Sequence, residues 1–150
     1  MTLLEALGEL TGRRNDARAM LQVGKPSLGR GLRLDHYAFP TIGIPKHNQI
    51  GPEIERSLIY SVARTESAFD QRDKSAANAV GLMQVTPEAG RDTAKRFEVS
   101  YDWDRMVSDP VYNTQMGAGR AERAAERIQR LSHHDLCRLQ CRPGPRPGLG

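Results

Sequence analysis

Apolar side chains recur at steps of four through the middle of the chain: Ile54, Leu58 and Val62, with Ile59 and Ala63 beside them. Residues four apart stack on one side of a helix, so this pattern predicts a helix with one apolar face. Gly51-Pro52 precedes the stripe. Proline fits a first helical turn, where its missing N–H is harmless. Glu53 and Glu55 then place negative charge near the positive helix end. The next residue in the row is Glu66. It continues the stripe and is expected to face the core, where lost solvation favours the protonated acid. A general acid working near neutral pH needs that property. The alternative is a half-exposed Glu66 that closes the stripe and pairs with Arg64 or Lys74.

The flanking pattern is also helical. Thr86-Pro87-Glu88 reads as an N-cap followed by a first-turn proline, opening a helix to about Phe97. Asp109-Pro110 repeats the signal and opens another. Between these elements, Asp70, Asp73, Tyr101, Asp102 and Trp103 read as loop residues. Upstream, a short helix is expected from about Leu3 to Leu21, then a Gly-rich connector from Gly24 to Leu34. Gly81 begins a Gly-Leu-Met-Gln turn, where glycine permits a positive φ or a close backbone approach. Taken alone, Ser75 is an ordinary turn residue and Gln84 a satisfied buried amide.

The joint spacing changes that reading. Glu66-Ser67-Ala68-Phe69 is followed by Ser75 and then Gly81-Leu82-Met83-Gln84-Val85-Thr86-Pro87. This pairing resembles the catalytic segment of the soluble lytic murein transglycosylases. The likeness runs from about Tyr37 to Gly117 and includes Ala38-Phe39-Pro40 and Asp109-Pro110, Asn113 and Gly117. The resemblance implies a lysozyme-like fold and cleavage of peptidoglycan. It places Glu66 in the catalytic position, Ser75 and Gln84 as sugar-binding residues and Met83 as lining of the groove. Glycosidases generally use two carboxylates; this family uses one. The implied role of Glu66 is to protonate the oxygen between N-acetylmuramic acid and N-acetylglucosamine, then to take the proton from the muramyl C6 hydroxyl. The product is a 1,6-anhydro sugar, and no cofactor or metal is called for.

Composition narrows the setting. The 150 residues hold at most one domain, and 38% hydrophobic with 27% charged content is ordinary for a soluble protein. No apolar run approaches a membrane span. The start, Met1 to Arg13, is amphipathic and unlike a signal peptide. The family works in the periplasm or cell envelope, so this start suggests an internal fragment of a longer protein.

The net charge of +4 resides in the tail: residues 1–119 balance, whereas residues 120–150 carry seven Arg and three acids. Cys137, Cys141, His133 and His134 raise the question of zinc, and the arginines that of nucleic acid. A single Cys-x3-Cys beside Pro-Gly repeats is weak support for either. A reading-frame slip near Ala118 explains more. Read from the second base, Cys137 becomes Ala or Val, Gln140 becomes Asn or Ser, and Leu139 can become Tyr. The shifted frame admits Tyr-Asn-Ala-Gly, the motif that the family carries after its next helix. As it stands, residues 120–130 offer Ile128 as their one sizeable apolar side chain, with Leu131 next. Such a face buries little, so poor folding and little turnover are expected.

The reading is therefore mainly α, with a lysozyme-like catalytic domain incomplete at its C-terminus. Residues 1–50 form an N-terminal helix and connector, 51–118 the transglycosylase portion, and 119–150 an out-of-frame, disordered tail. The partners are peptidoglycan glycan strands, with no nucleic acid and no membrane span. The alternatives are a lysozyme-type muramidase and a non-catalytic glycan or nucleic-acid binder.

Overall fold

The computed structural model describes residues 2–122. They are helical: α1 Leu3–Arg13, α2 Ala17–Gly29, α3 Asp35–Ala38, α4 Arg56–Glu66, α5 Pro87–Arg96 and α6 Trp103–Ser108. A further helix, α7, spans residues 110–122. Among the described residues the only β pairing is two isolated antiparallel bridges, Lys74 with Val80 and Val80 with Val85.

The upstream helix differs from expectation: it is two helices. Thr2 and Glu5 close a capping box on α1. Asn15 then turns left-handed at φ 55° and breaks the run. Asp16 restarts it, its Oδ1 accepting from the Ala19 N–H at 2.9 Å. The Gly-rich stretch is no connector either, since α2 continues to Gly29. Gly24 is needed there for another reason. A Cβ on it would lie 2.1 Å from the Ala38 nitrogen, so its bare backbone lets α2 press against α3.

The central helix starts later than the proline signal implies. Residues 52–55 are not helical, and α4 opens at Arg56 behind Glu55. The Gln49 side chain competes for the backbone there. Its Oε1 accepts from the Ile54 N–H at 2.8 Å and its Nε2 donates to the Ile54 carbonyl at 3.3 Å. Both helix-forming groups of Ile54 are thus engaged by a side chain.

One apolar cluster joins these elements. It takes Ala17 and Leu21 from α2, Ile59 and Ala63 from α4, Val80, Leu82, Met83 and Val85 from the turn, Ala94 from α5, and Met106, Tyr112, Met116 and Ala118 from α6 and α7. Burial of such surface contributes about 25 cal/mol per Å². The disordered tail expected from residue 119 does not begin there: residues 119–122 continue α7, with Ala121 and Glu122 buried and Glu122 paired with Arg96 of α5 at 3.0 Å. The rest of that tail, with Cys137, Cys141, His133 and His134, lies outside the described residues. Among those described, no helix is long and apolar enough to cross a membrane.

Candidate active site

The site is built where α4 stops. The buried face of α4 runs through Ile59 and Ala63 and ends on Ser67, which is 6% exposed. Glu66 is the last helical residue and is exposed. The expectation of a core-facing carboxylate therefore fails. The row of four that ends on Glu66 skirts the buried face, and the helix ends before Glu66 could be covered by its own packing. Arg64 does not neutralise it: its Nε donates to the Ala38 carbonyl at 2.8 Å. Among the described residues Glu66 has no ion-pair partner.

Two consecutive left-handed residues turn the chain sharply away, Ala68 at φ 50° and Phe69 at φ 63°. Each costs of order 1–3 kcal/mol outside glycine and needs compensation. Phe69 supplies part of it by burying its ring near Tyr60, and its N–H bonds to the Ala63 carbonyl at 3.2 Å. Asp70, next in the chain, forms an ion pair with Arg18 of α2.

The Gly81-Leu82-Met83-Gln84 turn sits on this helix end. Ser67 Oγ donates to the Leu82 carbonyl at 2.8 Å. Val80 and Val85 close the turn with two backbone bonds of 3.1 Å. Gly81 has φ 75°, and a Cβ there would stand 2.4 Å from Asn113 Nδ2. Asn113 on α7 is the clasp. Its Oδ1 accepts from the Met83 N–H at 3.0 Å, while Nδ2 donates to the Val80 carbonyl at 2.9 Å and the Met106 carbonyl at 3.2 Å. Sequence reading placed Asn113 within a matching stretch and gave it no task. The available signal was an amide between Tyr112 and Met116, on the apolar side of α7.

Each expected sugar contact has a definite place. Gln84 is 7% exposed, and its Nε2 donates to the carbonyls of Asp73 and Gly81, both at 3.1 Å. Its amide nitrogen thus ties the loop before the turn to the turn itself. Ser75 is half-buried, with Oγ accepting from the Ala79 N–H at 3.1 Å; its hydroxyl proton remains free to donate. Met83 is 3% exposed and packs where a Gly117 Cβ would stand, 2.2 Å from its own Cβ. It is a core side chain here, not a groove wall. Asp70 and Asp73 are loop residues, as their position implied. No group of three or more His, Cys, Asp or Glu among the described residues could hold a metal ion.

The site therefore presents one exposed carboxylate at a helix end, beside a clasped turn bearing a polar amide. The family model of the transglycosylase SLT domain matches residues 45–132. The membrane-bound lytic murein transglycosylase C of Haemophilus ducreyi is 44% identical over 66 residues, which cover 43% of this chain and 18% of the relative. The soluble lytic murein transglycosylase of Escherichia coli K12 is 37% identical over 68 residues, 45% of this chain and 10% of the relative. The crystal structure of the 70 kDa soluble lytic transglycosylase from Escherichia coli superposes with a TM-score of 0.62 at 25% identity, over 76% of this chain and 19% of that one. The mainly α, lysozyme-like fold expected from the sequence agrees with that structure. The chain spans less than a fifth of the length of each of these relatives.

Proposed function

The chain belongs to the transglycosylase SLT domain family, and we propose that its site cleaves the β-1,4 bond between N-acetylmuramic acid and N-acetylglucosamine in peptidoglycan, with Glu66 as the one acid–base. The observation that carries this is the bond from Ser67 to Leu82, which ties the residue after Glu66 to the turn bearing Gln84. Glu66, protonated once the bound glycan covers it and takes it out of water, gives its proton to the glycosidic oxygen as the C1–O bond breaks. Glu66, then a carboxylate, takes the proton of the C6 hydroxyl as that oxygen bonds to C1. The acid is regenerated, no water is consumed and the product is a 1,6-anhydro sugar. Ser75 and Gln84 hydrogen-bond the sugar next to the scissile bond, the first through its free hydroxyl proton and the second through Oε1. Met83 and Asn113 hold the turn in place. Murein is a cell-envelope polymer, so the protein acts there.

The test is the product of digested murein sacculi, separated by chromatography and weighed by mass spectrometry. Anhydro-muropeptides that disappear with Glu66→Gln support the reading. Reducing muramic-acid ends in their place mean a hydrolase, and intact sacculi mean that this chain does not turn over.

A further inference from the structure

Three leucines of α1 stand in water. Leu3 is 85% exposed, Leu7 44% and Leu10 52%, and their spacing puts them on one helical stripe. The mechanism above makes no use of them. α1 is held to the body by the neighbouring side. Gly8 and Thr11 are buried, the Tyr37 ring lies against Gly8, and the Tyr37 hydroxyl donates to the Glu5 carbonyl at 3.3 Å.

At about 100° per residue, Leu3, Leu7, Leu10 and the C-cap Arg14 fall within an arc of about 60°. Arg14 keeps helical dihedrals, so it ends the same stripe. It is exposed and has no ion-pair partner among the described residues. The acids of α1 lie elsewhere: Glu5 and Glu9 fall about 130° or more from the middle of the stripe. Glu5 closes the capping box, and Glu9 pairs with Arg13 at 2.6 Å. The charge along the chain has the same sense. Residues 1–34 carry six Arg and Lys and three acids, whereas residues 35–119 carry nine and twelve.

Leucines ended by a cation, with the acids turned away, give α1 the polarity of a helix lying in a lipid–water interface. Apolar side chains enter the acyl region there, and a long basic side chain returns its charge to the phosphates. A second copy of the chain is a poorer occupant. Three side chains on two turns fall far short of the ~800 Å² per partner of a stable protein interface. The stripe also holds no carboxylate to meet a second Arg14. We propose that α1 rests on an anionic phospholipid surface of the cell envelope, with Leu3, Leu7 and Leu10 in the outer acyl region and Arg14 at the phosphates. The chain then lies on the membrane, since no described helix is long and apolar enough to cross it. This is independent of Glu66 and of the chemistry proposed there.

The experiment sediments the full chain with vesicles of phosphatidylethanolamine and phosphatidylglycerol, and separately with vesicles of phosphatidylcholine. Binding to the anionic vesicles is expected, falling in raised salt. It should be roughly tenfold or more weaker in Leu7→Asp and in Leu3→Asp. Arg14→Glu should weaken it too, and Glu66→Gln should bind as the parent chain does. The leucines are exposed, so both variants should keep the parent's circular dichroism and thermal midpoint, which separates lost contact from lost fold. Equal binding to the two kinds of vesicle overturns the assignment to anionic lipid. Binding that both leucine variants leave unchanged belongs to the seven arginines of residues 120–150 and overturns the proposal, as does an absence of binding. Self-association of the lipid-free chain that Leu7→Asp abolishes assigns the stripe to a second copy and overturns it as well.

Discussion

Ser67 and Leu82 are joined across 15 residues by a buried hydroxyl-to-carbonyl bond of 2.8 Å. The same hydroxyl lies 3.1 Å from the Ala63 carbonyl, one helical turn back. Ser67→Ala leaves the Leu82 carbonyl without its partner in a buried site. The expected loss is about 1–3 kcal/mol of unfolding free energy, measured by urea denaturation. Turnover should fall too, because the turn is no longer held against the helix end.

Glu66→Gln removes the transferable proton and keeps the shape. General acid–base catalysis is typically worth about 10²- to 10⁴-fold, and a loss in rate of that order is expected. Because Glu66 is exposed at a helix end, its replacement should leave the thermal midpoint within experimental error. A large drop in stability would place Glu66 in the fold rather than the chemistry.

Gly81→Ala tests the clasp. It adds a side chain at φ 75° and drives a Cβ to 2.4 Å from Asn113 Nδ2. The backbone term alone is of order 1–3 kcal/mol. Asn113 would be displaced from Val80, Met83 and Met106 together. A stability loss at or above that range, measured by chemical denaturation, is the expected result; a neutral effect would mean that the turn moves freely of α7.

Acid should loosen the start of α7. The side-chain bond from Arg105 to Asp109, with the Tyr112 and Val111 N–H groups, holds the Asp109 carboxyl below its ordinary 3.8. A depressed folded value stabilises the protein fully above the unfolded value. That contribution is lost as pH falls below about 3.8 and through the lower folded one. Asp109→Asn should flatten this acid limb in thermal melts across pH 2 to 5, chosen to bracket ordinary carboxylate titration. Asparagine still caps a helix, so α7 itself should persist.

The reading frame offers a fifth test. Sequencing the codons for residues 114–150 should show that a one-base shift restores Tyr-Asn-Ala-Gly. The corrected chain is then expected to unfold more cooperatively than this one and to release anhydro-muropeptides. A confirmed frame with no such motif would leave binding as the property to measure.

The sequence disclosed the helix ending on Glu66, the turn at Gly81 and the cap-and-proline starts at Thr86 and Asp109, because each depends on local chemistry. It misplaced what depends on distant partners. Pro52 looked like a helix start because nothing local reveals that Gln49 engages Ile54. Glu66 seemed core-facing because a period of four drifts slowly against 3.6, so only packing decides which row is buried. Met83 looked like groove lining until Gly117 was found to leave it a core site. Asn113 was silent because its three partners lie 7 to 33 residues away.

Ala17 and Leu21 share an interior with Phe69 and Ala63, and Arg18 is paired with Asp70. The stretch matching the family begins at residue 45. An excision made at that border would therefore strip two side chains from the hydrophobic interior and release the loop that leads away from Glu66. The inherited unit and the folding unit have different edges, and anyone trimming this protein for expression should cut upstream of α2.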